Sequence, residues 1–79
     1  MTTDKVFSKV QDVFRIVLDN ESIVLTPETT ANNIDEWDSL THIQLIVAIE
    51  KQFKIKFTSK EMLSWNNVDD IVSCIIIKL

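Results

Sequence analysis

Glycine is absent from all 79 residues, and proline occurs once, as Pro27. An ordinary composition carries about 7% glycine, roughly five or six residues at this length. Glycine takes positive φ without steric cost and lets a backbone approach phosphate closely. Its absence excludes the P-loop, the dinucleotide-binding fingerprint, the G-x-S-x-G nucleophile elbow and the EF-hand loop. Hairpin turns of types I′ and II′ lose their preferred residue as well. The fold is therefore expected to be mostly helical, to need no special backbone, and not to be a conventional enzyme.

Cysteine is equally scarce. Cys74 stands alone, which excludes an internal disulfide and suits a reducing cytoplasm. A place inside a helix is expected for it, and a monomer rather than a cross-linked dimer. Histidine occurs once, so a zinc site has too few ligands. No apolar run approaches the ~20 residues of a membrane span. The start, Met1-Thr2-Thr3-Asp4, lacks the basic-then-apolar layout of a signal peptide. A cytoplasmic protein that does not insert in membranes is expected. The chain is short enough for a single domain, residues 1–79.

Net charge is −4, and its distribution is uneven. Residues 1–50 hold nine acids and three bases, whereas residues 51–79 hold three acids and five bases. From Asp19 to Asp38 there are six acids and no base. Such a stretch repels nucleic-acid phosphates and attracts basic protein surfaces, so nucleic-acid binding is disfavoured.

Periodicity places the helices. Val6, Val10, Val13 and Val17, widened by Phe7, Phe14 and Leu18, predict an amphipathic helix over about 3–19. Polar Lys9, Gln11, Asp12 and Arg15 fall mostly on its other side. Residues 20–37 show no clean period, but Ile23, Leu25, Ile34 and Trp37 mark a packed loop, with a helical turn near Glu28–Ala31. Asp38 is a strong N-cap for a second helix. Its stripe is Leu40, Ile43, Ile46, Val47, Ile49 and Phe53, with Leu45 and Ala48 adding apolar surface. Thr58-Ser59-Lys60-Glu61 is a capping box for a short third helix ending near Ser64. Residues 71–77 are β-branched enough for a strand, yet one strand would have no partner. Asn66 and Asn67 as caps, with Asp69 and Asp70 in a first turn, predict a fourth helix instead. The expected architecture is all-α: a small four-helix bundle with a long first loop and a short third helix.

No reaction can be assembled from these side chains. Ser39 and His42 have helical spacing for a nucleophile and base, but no third group is evident to orient the imidazole. His42 reads as an exposed helix residue. Asp35, Glu36 and Asp38 lack the spacing of a calcium loop, so no metal site is expected. The informative point is the loop–helix junction Trp37-Asp38-Ser39-Leu40. With Asp38 as cap, Ser39 is the first helical residue, exposed beside free backbone N–H groups, where an attached phosphate is favoured.

The run Asp38-Ser39-Leu40-x-x-Ile43-x-Leu45-Ile46-x-Ala48-Ile49-Glu50-x-x-Phe53 resembles the signature of acyl carrier proteins. Lys54-Ile55-Lys56-Phe57, the capped short helix and the Asn67-Val68 helix start follow in the family's order. The resemblance covers essentially the whole chain and implies an acyl-carrier-like bundle, free-standing and not an enzyme. It implies that Ser39 carries 4′-phosphopantetheine, placed by a phosphopantetheinyl transferase from coenzyme A with magnesium, Asp38 and Leu40 completing the recognition motif. Cargo would ride as a thioester, exchanged with acyl- or aminoacyl-loading enzymes and downstream transfer enzymes. Trp37, His42, Ile43, Gln44, Val47 and Trp65 are the implied partner contacts, Trp65 beside the groove between helices two and three. For Ile43, and to a lesser degree Val47, core packing is the competing expectation.

The second helix departs from the pattern of fatty-acid carriers. Thr41, Gln44, Lys51 and Gln52 stand where acids are usual, and Glu50 is its only acid after Asp38. Trp37 before Asp38-Ser39-Leu40 is closer to carriers of specialised pathways. Fatty-acyl, aminoacyl and other specialised cargoes all stay open, as does an unmodified helical adaptor.

Overall fold

The computed structural model describes residues 2–79, among which four α-helices and one 3-10 turn form the architecture. They are α1 (Thr3–Val17), the turn Ala31–Asn33, α2 (Ser39–Phe53), α3 (Ser59–Ser64) and α4 (Val68–Lys78). α1 packs against both α2 and α4. Its buried face is Val6, Val10, Val13 and Phe14, the valine stripe that the periodicity marks. From α4, Val68, Ile71, Val72 and Ile75 close the core on the other side. The β-branched segment is helical because its neighbours offer a groove for a stripe and no strand to pair with. Tertiary burial outweighs the modest β preference.

All four helices begin on side-chain caps, and at α1 Thr2 Oγ1 accepts from Lys5 N–H. Thr58 Oγ1 accepts from Glu61 N–H, and Glu61 Oε1 accepts in return from Thr58 N–H. Asn67 Oδ1 accepts from Asp70 N–H at 3.0 Å. Asp38 holds α2, as described below. Glu61 is doubly used: Thr58 N–H and the Lys78 ammonium hold its pKa down to about 2. That ion pair ties α3 to the end of α4. Cys74 is half-buried in α4 with its thiol 3.4 Å from Glu61 Oε2, and burial raises its pKa.

The long first loop is stitched down by polar atoms. Gln11 Oε1 accepts from Leu25 N–H, Arg15 Nε donates to Ile23 O, and Asn20 Nδ2 donates to Glu36 Oε2. Thus Gln11 and Arg15, on the polar side of α1, hold the loop. Ile23, Leu25 and Trp37 are buried, as their apolar character predicts, and Ile34 is half-buried. The carbonyls of Thr29 and Pro27 accept from Val68 and Asp69 N–H, satisfying two donors that the start of α4 leaves open. This bonding displaces the expected helical turn. Residues 26–29 close their own turn through Thr29 Oγ1, which accepts from Thr26 N–H, and the helical turn falls at Ala31–Asn33 instead.

Two further expectations change. Left-handed backbone is required after all: Asp19 and Lys54 have φ of 51° and 56°. Each follows a helix end where the chain reverses, with Asn20 N–H reaching Arg15 O and Ile55 N–H reaching Glu50 O. Glycine normally serves at such closures. The second correction concerns α2, where core packing is overturned as the competing expectation for Ile43 and Val47: the buried residues are Leu45, Ile46, Ile49 and Phe53. Leu40, Ile43 and Val47 are 68%, 62% and 43% exposed. A helix apolar on nearly every side does not reveal its inner face; contact with α1 selects it.

Candidate functional site

Asp38 sits in extended backbone at the start of α2, and its carboxylate accepts from Leu40 N–H at 3.0 Å and Thr41 N–H at 2.9 Å. Thr41 Oγ1 returns the cap by accepting from Asp38 N–H and donating to Glu36 O. The Thr41 backbone bond, followed by smaller contributions from the Thr41 hydroxyl and Leu40, holds the Asp38 pKa below the usual carboxylate value. This cap changes the electrostatics inferred from sequence. The N–H groups of Leu40 and Thr41 are occupied by Asp38, so they are not free to meet a phosphate. Ser39 itself is exposed, and its N–H makes no hydrogen bond among the described residues.

Ser39 opens onto a cavity of about 290 Å³ lined by Trp37, His42, Trp65, Asn66 and Ile71, among others. Its wall is a run of aromatic contacts. Phe14 meets Trp37 edge-on at 4.9 Å, Trp37 stacks with His42, and His42 meets Trp65 edge-on at 6.3 Å. Trp65 in turn packs edge-on against Phe57 at 4.8 Å. The chain of rings joins the core beneath α1 to the loop after α3. It fixes the cavity wall on elements far apart in sequence.

His42 departs from its reading as an exposed, unoriented residue. It is half-buried, and Trp37 Nε1–H donates to its Nδ1 at 3.0 Å. An indole nitrogen only donates, so Nδ1 is the acceptor and the ring proton resides on Nε2. The orienting group exists, but it sets the tautomer that donates toward its surroundings. A general base for Ser39 would need Nε2 unprotonated, which this arrangement opposes. Burial also pushes the His42 pKa down, favouring the neutral ring.

The remaining sequence-marked residues divide into two sets. Trp37 is only 7% exposed and packs on Phe14, so its large ring supports the site from within. Trp65 is half-buried and lines the cavity while covering Phe57. Leu40, Ile43, Gln44 and Val47 are all exposed. They lie at i, i+3, i+4 and i+7, so they form one outward stripe on α2. Lys51 extends that stripe at i+11, and Lys54 and Lys56 follow just beyond it. Together with Val47, Glu50 and Ile55, these lysines line a second, shallower depression of about 470 Å³. Glu50, the acid in the motif, is tied inward from that depression: its Oε2 accepts from Phe57 N–H and anchors the connection to α3. The outward face of α2 therefore runs from acid, through apolar, to base.

Sequence reasoning missed four lining residues and one hydrogen bond here, Ile71 having been read only as part of the α4 stripe. Asn66 and Asn67, assigned only as helix caps, also line the cavity. The Trp37–His42 hydrogen bond carried a faint signal, because residues 37 and 42 can meet across a helix start once the cap is known. Ala31 reaches the cavity through the loop, and no local pattern marks it.

The family model described as a phosphopantetheine attachment site matches residues 4–75. Acyl carrier proteins of Streptococcus pyogenes serotypes M3 and M1 are 40% identical over 68 residues, covering 86% of this chain and 88% of theirs. The solution structure of a holo acyl carrier protein from Geobacter metallireducens superposes with a TM-score of 0.88 at 45% identity. That match covers 92% of this chain and 84% of the other.

Proposed function

This chain belongs to the acyl carrier protein family, and we propose that Ser39 is its attachment residue and residues 1–79 its single carrier domain. It is a carrier with covalently held 4′-phosphopantetheine, not a catalyst, and it serves transferases and biosynthetic enzymes. When attached, the group supplies a thiol that holds cargo as a thioester. The residues present suit it: an exposed serine hydroxyl starts a rigid helix, with a cavity opening beside it. The observation that carries the assignment is that exposed Ser39 directly follows the capping carboxylate of Asp38.

On this reading a phosphopantetheinyl transferase transfers the group from coenzyme A to Ser39 Oγ. Asp38 fixes the helix start, and Leu40 offers an adjoining apolar contact. The acidic loop steers basic partner surfaces toward the site. The tether then raises the local concentration of cargo at each enzyme visited. None of the described helices is long and apolar enough to cross a membrane. The free thiol of Cys74 suits a cytoplasmic monomer.

The exposed α2 face favours partners outside fatty-acid synthesis. Gln44 and Lys51 lie on the outward stripe, and Lys54 and Lys56 extend its positive end. A purely basic partner patch meets like charge there, which costs specificity and association rate. Loading with a specialised acyl or aminoacyl group is the reading this face supports.

Intact-mass measurement after incubation with a broad-specificity transferase and coenzyme A tests the assignment. One phosphopantetheine adduct is expected in the wild type and none in Ser39→Ala. An adduct that persists in Ser39→Ala would refute the attachment residue.

A further inference from the structure

The capping carboxylate of Asp38 leaves a problem at Ser39. A phosphodiester on its Oγ is an anion, yet Leu40 and Thr41 N–H are bound to Asp38, so Ser39's own N–H is the one donor left at this helix start. The Asp38 carboxylate is itself a neighbouring negative charge. An anion beside it gains from further donors, and the lining of the Ser39 cavity offers the side chains of His42, Asn66 and Asn67.

Of these, the donor held in place by its neighbours and carried on the same helix as Ser39 is the Nε2–H of His42. Trp37 occupies Nδ1 and so leaves the ring proton on Nε2. Nε2 has no hydrogen-bond partner among the described residues, and no buried side-chain nitrogen or oxygen in them is unpaired. Nε2 of this half-buried ring is therefore open to solvent. Position agrees with availability. His42 stands one turn after Ser39 on α2, and helical side chains lean back toward the preceding turn. The bond to Trp37, which precedes Ser39 in the chain, shows that the ring does lean that way. His42 and Ser39 line the same cavity. Stacking against Trp37 and edge contact with Trp65 restrict ring rotation, so little order remains to be imposed when the donor is used.

We propose that His42 is a positioning residue for the arm, its neutral Nε2–H donating to the phosphodiester on Ser39 while Trp37 holds the ring in register. The inference rests on the Ser39 assignment and adds to it a fixed polar contact at the root of the arm. Besides packing the cavity wall, Trp37 acts on the arm through His42, by keeping Nδ1 occupied.

NMR on chain labelled with ¹⁵N-histidine, before and after conversion by transferase and coenzyme A, tests this with intact mass as the first readout. The wild type should gain one adduct. On conversion the His42 Nε2 resonance should move downfield, and its proton should exchange with water about tenfold more slowly or slower still, as one hydrogen bond to a charged group dictates. The ³¹P line of holo His42→Phe should be displaced from that of the wild type. His42→Gln, which retains an N–H donor, should restore part of that difference. Trp37→Phe should give a mixture of His42 tautomers and a partial ³¹P displacement. An adduct in the wild type with an unchanged Nε2 signal overturns the His42 proposal and leaves the attachment residue standing. Absence of any adduct overturns both. The wild-type comparison decides the matter even if a variant fails to fold.

Discussion

Lys54 closes α2 at φ 56° and ψ 47°, and its replacement by glycine is expected to stabilise the fold. A side chain with a Cβ in this left-handed region is disfavoured by roughly 1–2 kcal/mol relative to right-handed backbone. Glycine escapes that cost but loses about 0.5–1 kcal/mol more chain entropy on folding than alanine does. The difference leaves a net gain of about 0.5–1 kcal/mol. Lys54 is exposed and makes no ion pair among the described residues, so little side-chain interaction is surrendered. The backbone bonds from Lys54 and Ile55 N–H to Glu50 O remain available. For a domain of this size the gain corresponds to roughly 2–8 °C in Tm. Urea unfolding at constant m-value measures it as a higher midpoint. Lys54→Ala is the control: it removes the same charge and retains the Cβ. If Lys54→Gly proves no more stable than Lys54→Ala, left-handed backbone at this position is not the source of the gain.

Asp38→Ala should cost about 1 kcal/mol by removing the α2 cap, and Asp38→Asn, which caps equally well, should restore most of it; chemical denaturation distinguishes them. Stability should also fall in acid. The Asp38 and Glu61 pKa values are depressed in the fold, so their contributions are complete above the ordinary carboxylate range and are lost as pH falls, for Glu61 through about 2. His42 acts at milder pH with the same sign: its folded pKa is depressed, so the unfolded chain takes the proton first and stability declines as pH drops below 6.5. An acid titration of Tm in the wild type and His42→Gln separates the histidine contribution, which is absent in the variant. Gln44→Glu combined with Lys51→Glu should improve use by fatty-acid synthase enzymes; an unchanged transfer rate at low salt would remove α2 charge as the determinant of partner choice.

Much of the site was legible because its signals are local. Asp38 is an N-cap by chemistry, so the start of α2 and the place of Ser39 followed from neighbouring residues. Spacing likewise identified Val6, Val10, Val13 and Phe14 as a buried face, and Thr58 with Glu61 as a reciprocal cap. Periodicity showed the exposed apolar residues of α2 as apolar but not as exposed; only the family resemblance placed Leu40, Ile43 and Val47 outward. Leu40, Ile43 and Val47 differ from Leu45, Ile46 and Ile49 in no property that a short window can read.

Composition and periodicity by themselves determined an all-helical chain, its four helix starts and a serine poised at the second. Only the tertiary structure decided which side of α2 faces α1, because burial is settled by the partner helix. Only it joined Trp37 to His42 and fixed the imidazole proton on Nε2, a choice made by a hydrogen bond across a helix start. The absence of glycine also changed meaning there. Composition gives the residues available at a turn but not the angles the turn requires. Asp19 and Lys54 take left-handed backbone because the packing of α1 and α2 demands that the chain reverse where they stand.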